Sequence, residues 1–178
     1  FLIIVGTILS GFNGFIHNTW LAIGYAAFAI WLLQFDIARK TIRQSGVTRF
    51  VAVCLLSGYA WLLAGGLLLT NLITLGLFQR DAGIHAVALG FIFTMVIGHA
   101  PIIFPAVMRV LIPFSNIFYI PLLLIEFGVA LRLCGAFLSR ASLREVGAVA
   151  NAIAILVFIL CLLWQVRIGV RSTKNPQN

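Results

Sequence analysis

The sequence predicts an all-α fold: a polytopic bundle of transmembrane helices with six spans, or five if residues 1–15 do not cross. Three observations predict it. First, 62% of the 178 residues are hydrophobic and 9% are charged, against roughly 45–50% and 25% in a soluble domain. Second, mean hydropathy is +1.13, so a chain of this length has more apolar surface than it can hide from water, and lipid is part of its solvent. Third, charged residues cut the chain into apolar runs of about 20 residues, the length that crosses a bilayer. No period-2 alternation supports a barrel. A cytosolic enzyme, a secreted disulfide scaffold and a disordered tail are excluded. The net charge of +8 raises the question of a nucleic-acid binder. Lys and Arg fall mostly between apolar runs, however, as in a protein facing anionic lipid. The expected partners are the lipid bilayer and other membrane subunits, with no nucleic acid.

Residues 1–35 contain no Asp, Glu, Lys or Arg. That run is too long for one span, and Gly11-Phe12-Asn13-Gly14 with His17-Asn18 breaks it. A first helix is expected over about 1–15 and a second over about 19–38. A signal peptide over 1–16 is the other reading, but no basic n-region precedes it. The chain opens on Phe1, so the native start is expected upstream. The third span lies within 50–78, ending near Thr70-Asn71. The fourth covers about 83–108 and contains His85, His99, Pro101 and Pro105; a kink is expected at the prolines, each of which removes a backbone donor. Pro113-Phe114-Ser115-Asn116 is a turn with Ser115 or Asn116 as N-cap. The fifth span covers about 116–138, the polar link 138–142 follows, and the sixth covers about 143–168. Residues 1–170 thus form one transmembrane domain, and 171–178 a polar, frayed tail.

With six spans both termini share a side. That side collects Arg39, Lys40, Arg43, Arg49, Arg109, Arg167, Arg171 and Lys174. The other collects Arg80, Arg140 and Arg144, with Asp81 and Glu145 beside them. The positive-inside rule then places both termini in the cytoplasm of a bacterial-type inner membrane. If the first segment is not a span, only the N-terminus moves outside.

Cys54, Cys134 and Cys161 fall inside spans, without CxxC or metal spacing, and read as small hydrophobes. No phosphate loop, GxSxG or HExxH is present, so no catalytic residues are assigned. Gly65-Gly66, and Ala86 with Gly90, are expected to let helices approach closely. Trp20, Trp31, Trp61 and Trp164 read as packing or interface residues. Asp36, Arg39 and Lys40 read as an interfacial charge cluster.

Ionisable groups at membrane depth are costly and carry the functional expectations. His85 and His99 are 14 residues apart. On a regular helix that is 40° short of four turns and roughly 21 Å of rise, so both imidazoles leave one face at two depths. Imidazole is a common axial ligand of haem. His17 and His85 are expected at one level on the outer side, as a bis-His pair for haem b. His99 is expected as a further ligand, or as the partner of Glu126 in a proton relay. Arg132 is expected to face a haem propionate or to snorkel. As metal ligands the candidates are His85, His17 and His99. Read as structure alone, each histidine is a hydrogen-bonded residue of the bundle.

The stretch His85-Ala86-Val87-Ala88-Leu89-Gly90, then Met95, then Gly98-His99-Ala100-Pro101-Ile102-Ile103-Phe104-Pro105 resembles the His-and-Gly helices of the NnrS family. More distantly it resembles those of heme–copper oxidase catalytic subunits. The spacing of the two histidines is also similar to that of cytochrome b of the bc-type complexes, where a second helix supplies a matching pair; none is present here. The adjacent histidine pair that holds copper in the oxidases is absent. The resemblance implies a membrane haem protein tied to respiratory or nitrogen-oxide metabolism.

The leading expectation is therefore a membrane haem b protein or subunit in electron transfer, with the catalytic step elsewhere. The second is a cofactor-free scaffold or assembly subunit. The third is a small transporter or channel, with Glu126, His99 and Arg132 lining a polar path.

Overall fold

A computed structural model describes residues 14–69, 78–109 and 114–174, with side chains over 20–69, 78–109 and 114–170. The described residues are helical, and none is in a strand. Helix α1 spans Gly14–Phe35, and the short α2 spans Ala38–Thr41. Four longer helices follow: α3 Gly46–Leu69, α4 Gln79–Met108, α5 Asn116–Phe137 and α6 Ala141–Lys174. These four are long and apolar enough to cross a membrane. The expected first helix lies almost wholly outside the described residues, so six spans rest on the sequence. Helix α1 is 22 residues long among the described residues, and its Trp20–Phe35 stretch is apolar.

Each boundary has a local cause. Asp36 Oδ1 accepts from Ala38 N at 2.7 Å and starts α2, while its Oδ2 accepts from Tyr59 Oη at 2.7 Å. The expected charge cluster with Arg39 and Lys40 is thus a capped turn pinned to α3. Gly46 enters α3 at φ +67°, where a side chain would be strained. Ser115 Oγ accepts from Ile117 N at 3.4 Å, as the N-cap expected for α5. The α5–α6 turn is a Schellman motif. Arg140 N donates to Gly135 O at 2.8 Å and Ser139 N to Ala136 O at 3.3 Å, with Ser139 at φ +52°.

As expected, the helix over about 83–108 contains Pro101 and Pro105 and continues through both. Two expectations change. His17 and Asn18 lie inside α1 and not in a turn between helices. Residues 171–174, expected in a frayed tail, continue α6; the next helix breaker is Pro176. At 34 residues α6 is about 51 Å long, well beyond the ~30 Å hydrocarbon core.

Consecutive long helices run antiparallel, and glycines set their separations. Lipid tails are as apolar as leucine, so close packing rather than the hydrophobic effect holds such helices together. A Cβ on Gly65 would lie 2.7 Å from Val87 Cγ2 of α4, and one on Gly66 would lie 3.1 Å from Tyr25 Cβ of α1. The expected Gly65-Gly66 approach is therefore made on both flanks of α3. Between α5 and α6, a Cβ on Gly147 would lie 2.7 Å from the Gly128 carbonyl.

The apolar core occupies one end of the bundle. Phe50, Cys54, Ile97, Phe118, Ile125 and Phe158 are buried there together. Phe50 packs edge-on against Tyr119 at 4.9 Å and tilted against Phe114 at 5.5 Å. Further polar groups lie at the bundle's middle and its other end.

Candidate functional site

Asp81 and His85 sit four residues apart at the start of α4, on one face. His85 Nδ1 lies 2.8 Å from Asp81 O and 3.2 Å from Asp81 Oδ1. With Nδ1 donating to that carbonyl, Nε2 is the acceptor for Arg132 Nη2 of α5 at 3.0 Å. Arg132 Nη2 also lies 3.4 Å from both Asp81 oxygens. Arg144 of α6 donates to Asp81 Oδ2 at 2.9 Å, and its guanidinium stacks 3.9 Å over the Phe78 ring. Three helices therefore meet in one cluster, two guanidiniums around one carboxylate. Glycines seat both arginines: a Cβ on Gly147 would lie 2.8 Å from Arg132 Cγ, and one on Gly135 would lie 2.7 Å from Arg144 Cγ.

The second site lies halfway along α5. Glu126 Oε2 accepts from Trp61 Nε1 of α3. Ser57 of α3 and Thr94 of α4 lie beside the carboxyl; Ser57 Oγ donates to Cys54 O at 3.2 Å. Oε1 is buried without a hydrogen-bond partner. Thr94 is fully buried, and its Oγ1 lies 3.3 Å from Leu89 O, five residues back. That span of five belongs to a π-helical segment, Ala86–Phe93, which runs between His85 and Thr94. Such segments recur at functional sites. Gly90 lies within it; a Cβ there would be 2.5 Å from Trp61 Cγ. The glycine thus admits the indole that reaches Glu126.

The π segment also undoes the single histidine face. Its turns are wider than 3.6 residues, so the phase between His85 and His99 slips. His85 turns to α5. His99 follows Met95, bonding Met95 O through Nδ1 at 2.8 Å, and the Met95 methyl faces Gly58 of α3. Among the described residues no hydrogen bond joins His99 to Glu126.

His17 and His85 also lie at different levels. Gly66 packs on Ala22 while Gly65 packs on Gly83, so Ala22 and Gly83 share a height. His17 is five residues outward of that height and His85 two residues inward, an offset of about 10 Å. The His17 side chain lies outside the described ones. Axial ligands must face one another across the iron. With this offset, and with His85 Nε2 engaged by Arg132, the residues as arranged do not fit a bis-His haem. Among the described residues no group of three or more His, Cys, Asp or Glu could hold a metal. Cys54 and Cys161 are buried and Cys134 is exposed.

The structure joins Arg132 to His85, a pairing sequence reasoning did not draw. It also brings in Asp81 and Arg144, read as loop charges, Trp61, read as packing, and Ser57 and Thr94, which carried no sequence signal. One signal was available, the Asp81-to-His85 spacing of four at a helix start. Asn151 is 3% exposed and neither of its amide atoms has a partner; it abuts Gly128 across the α5–α6 contact.

Residues 2–167 match the model of a family described as a domain of unknown function (DUF8744). No curated protein and no solved structure matches the chain.

Proposed function

The chain belongs to the DUF8744 family, and from that premise we propose that it is a proton-handling integral membrane protein, a small transporter or the proton-carrying subunit of a larger assembly. The observation that carries this reading is Glu126, an ionisable group halfway along a membrane-length helix. Trp61, Ser57 and Thr94 surround it from two other helices, and one oxygen is left without a donor. A carboxyl so placed is costly unless it has work to do, and proton carriage is the common work. Protons reach it from the end where Asp81, His85, Arg132 and Arg144 meet. Glu126 and Arg132 are six residues apart on α5, about 9 Å along its axis. Ala86 and Val129, both buried, lie in the interval, so transfer across it requires water. Toward the opposite end the aromatic core closes the bundle. The cation-rich end, with Arg39, Lys40, Arg43 and Arg49, is assigned to the cytoplasm of an inner membrane by the positive-inside rule.

The test is proton flux into vesicles containing the purified chain, driven by a potassium diffusion potential and read with an enclosed pH dye. Glu126→Gln is expected to reduce flux to the protein-free rate. Infrared difference spectra provide a second reading that needs no partner subunit: a carboxylic-acid band that titrates with pH and disappears in Glu126→Gln. Wild-type protein with neither flux nor such a band overturns the proposal. A cofactor-free scaffold predicts that Glu126→Gln is silent in both.

A membrane haem b subunit is the second reading. It is supported by His85 lying beside Arg132 and Arg144, the cationic surroundings that haem carboxylates need. The engaged Nε2 and the level of His17 count against it. Under the leading reading, protein made with haem supplied has a flat visible spectrum, oxidised and reduced. A reduced α-band that His85→Ala removes would put haem first.

A further inference from the structure

We infer that the cluster at the start of α4 is a binding site for a phosphate-type anion, and that Asp81 is the built-in acid which such an anion joins or displaces. The inference is independent of Glu126. Arg132 and Arg144 together carry two positive charges against the single charge of Asp81. Both side chains are largely withdrawn from solvent, at 12% and 21% exposed. Burying a cation in excess of its counter-charge is unfavourable unless a further anion completes the site. The Nε atoms of both arginines are buried without an acceptor. A guanidinium presents its donors as a planar fork, and phosphate oxygens match that fork in pairs.

The arginines are held in place in advance. Stacking on Phe78 fixes the plane of Arg144. Gly135 and Gly147 leave room for the two arginine stems against the neighbouring backbone. Less entropy is then lost when an anion binds. The depth is also right for a headgroup. Asp81 is the third residue of α4, Arg144 the fourth of α6, and Arg132 lies five residues before the end of α5. The cluster therefore lies one to two turns below the helix ends, near where lipid phosphates lie. Arg80 and Arg140, both exposed at the same end, add attraction without forming the site.

The phosphate can belong to a lipid or be free, and the experiment separates the two. The full chain is placed in nanodiscs of phosphatidylcholine, with or without phosphatidylglycerol, and in neutral detergent with inorganic phosphate. Retained lipid is counted by native mass spectrometry, and thermal unfolding is followed in each. Preference for phosphatidylglycerol without a phosphate effect assigns the site to headgroups. Stabilisation by both assigns it to phosphate in general. No effect of either overturns the inference. Arg144→Ala is expected to weaken the preference about fivefold, the effect of one cation near a charged surface. Asp81→Asn is expected to act in the opposite sense and strengthen it. That reversal keeps the test decisive if Arg144→Ala fails to fold, because a purely structural cluster would be weakened by either change. Arg140→Ala is the control. A loss equal to that of Arg144→Ala would mean diffuse surface charge, and would overturn the site.

Discussion

Trp61 is the residue on which the middle of the bundle turns. Its ring occupies the space that any side chain at position 90 would need, and its N–H serves Glu126. Gly90→Ala is expected to push the indole aside and cost about 1–3 kcal/mol, the usual price of overpacking. Denaturation in mixed micelles checks the stability. The infrared band of Glu126 checks the site, and should shift because its donor has moved. In sequence, Trp61 is indistinguishable from Trp31, which stacks on Phe28 and is 55% exposed. Both are single tryptophans in apolar runs. Only the partner across the helix contact separates a packing residue from a hydrogen-bond donor.

Among elements, the Schellman turn between α5 and α6 offers a clean test of backbone strain. Ser139 occupies the position that glycine usually takes, at φ +52°. A Cβ in that region costs roughly 1–2 kcal/mol. Ser139→Gly is therefore expected to raise stability by about 1 kcal/mol, less what glycine's freer unfolded chain gives back. Thermal unfolding in detergent reads it, and an unchanged or lower midpoint would mean the turn carries no strain. Helix α4 shows the other side of element-level reasoning. Its limits follow from the charges Arg80 and Asp81 at one end and Arg109 at the other. Its π segment does not follow from any pattern in Ala86–Phe93, because the wide turn answers to Trp61 and Thr94. A regular-helix count from His85 to His99 therefore gives the wrong relative direction.

For the whole molecule, the ends differ in charge and in packing. One end holds α2 with Arg39, Lys40 and Arg43 above the aromatic core. The other holds the Asp81–His85–Arg132–Arg144 cluster. The two are separated by α3 through α6, each of membrane length. With the native cysteines replaced, Cys introduced at position 43 and Cys introduced at position 140 are expected to react with a membrane-impermeant maleimide from opposite sides of sealed vesicles. Labelling of both from one side would mean that the bundle does not cross as its lengths imply.

The sequence by itself determined the solvent, the helical class and most helix limits. Hydropathy, charge runs and the Ser115 cap are properties of consecutive residues, and the bilayer reads them locally; the expected Thr70-Asn71 break lies outside the described residues. The tertiary structure decided which polar groups meet. His85 found Arg132 and Asp81, Glu126 found Trp61, and His17 and His85 took different levels. Those outcomes depend on the rotation and height of each helix, and these are set by glycine contacts between helices and by one π segment within α4. A side chain's partner is a property of that assembled geometry and not of the chain's order.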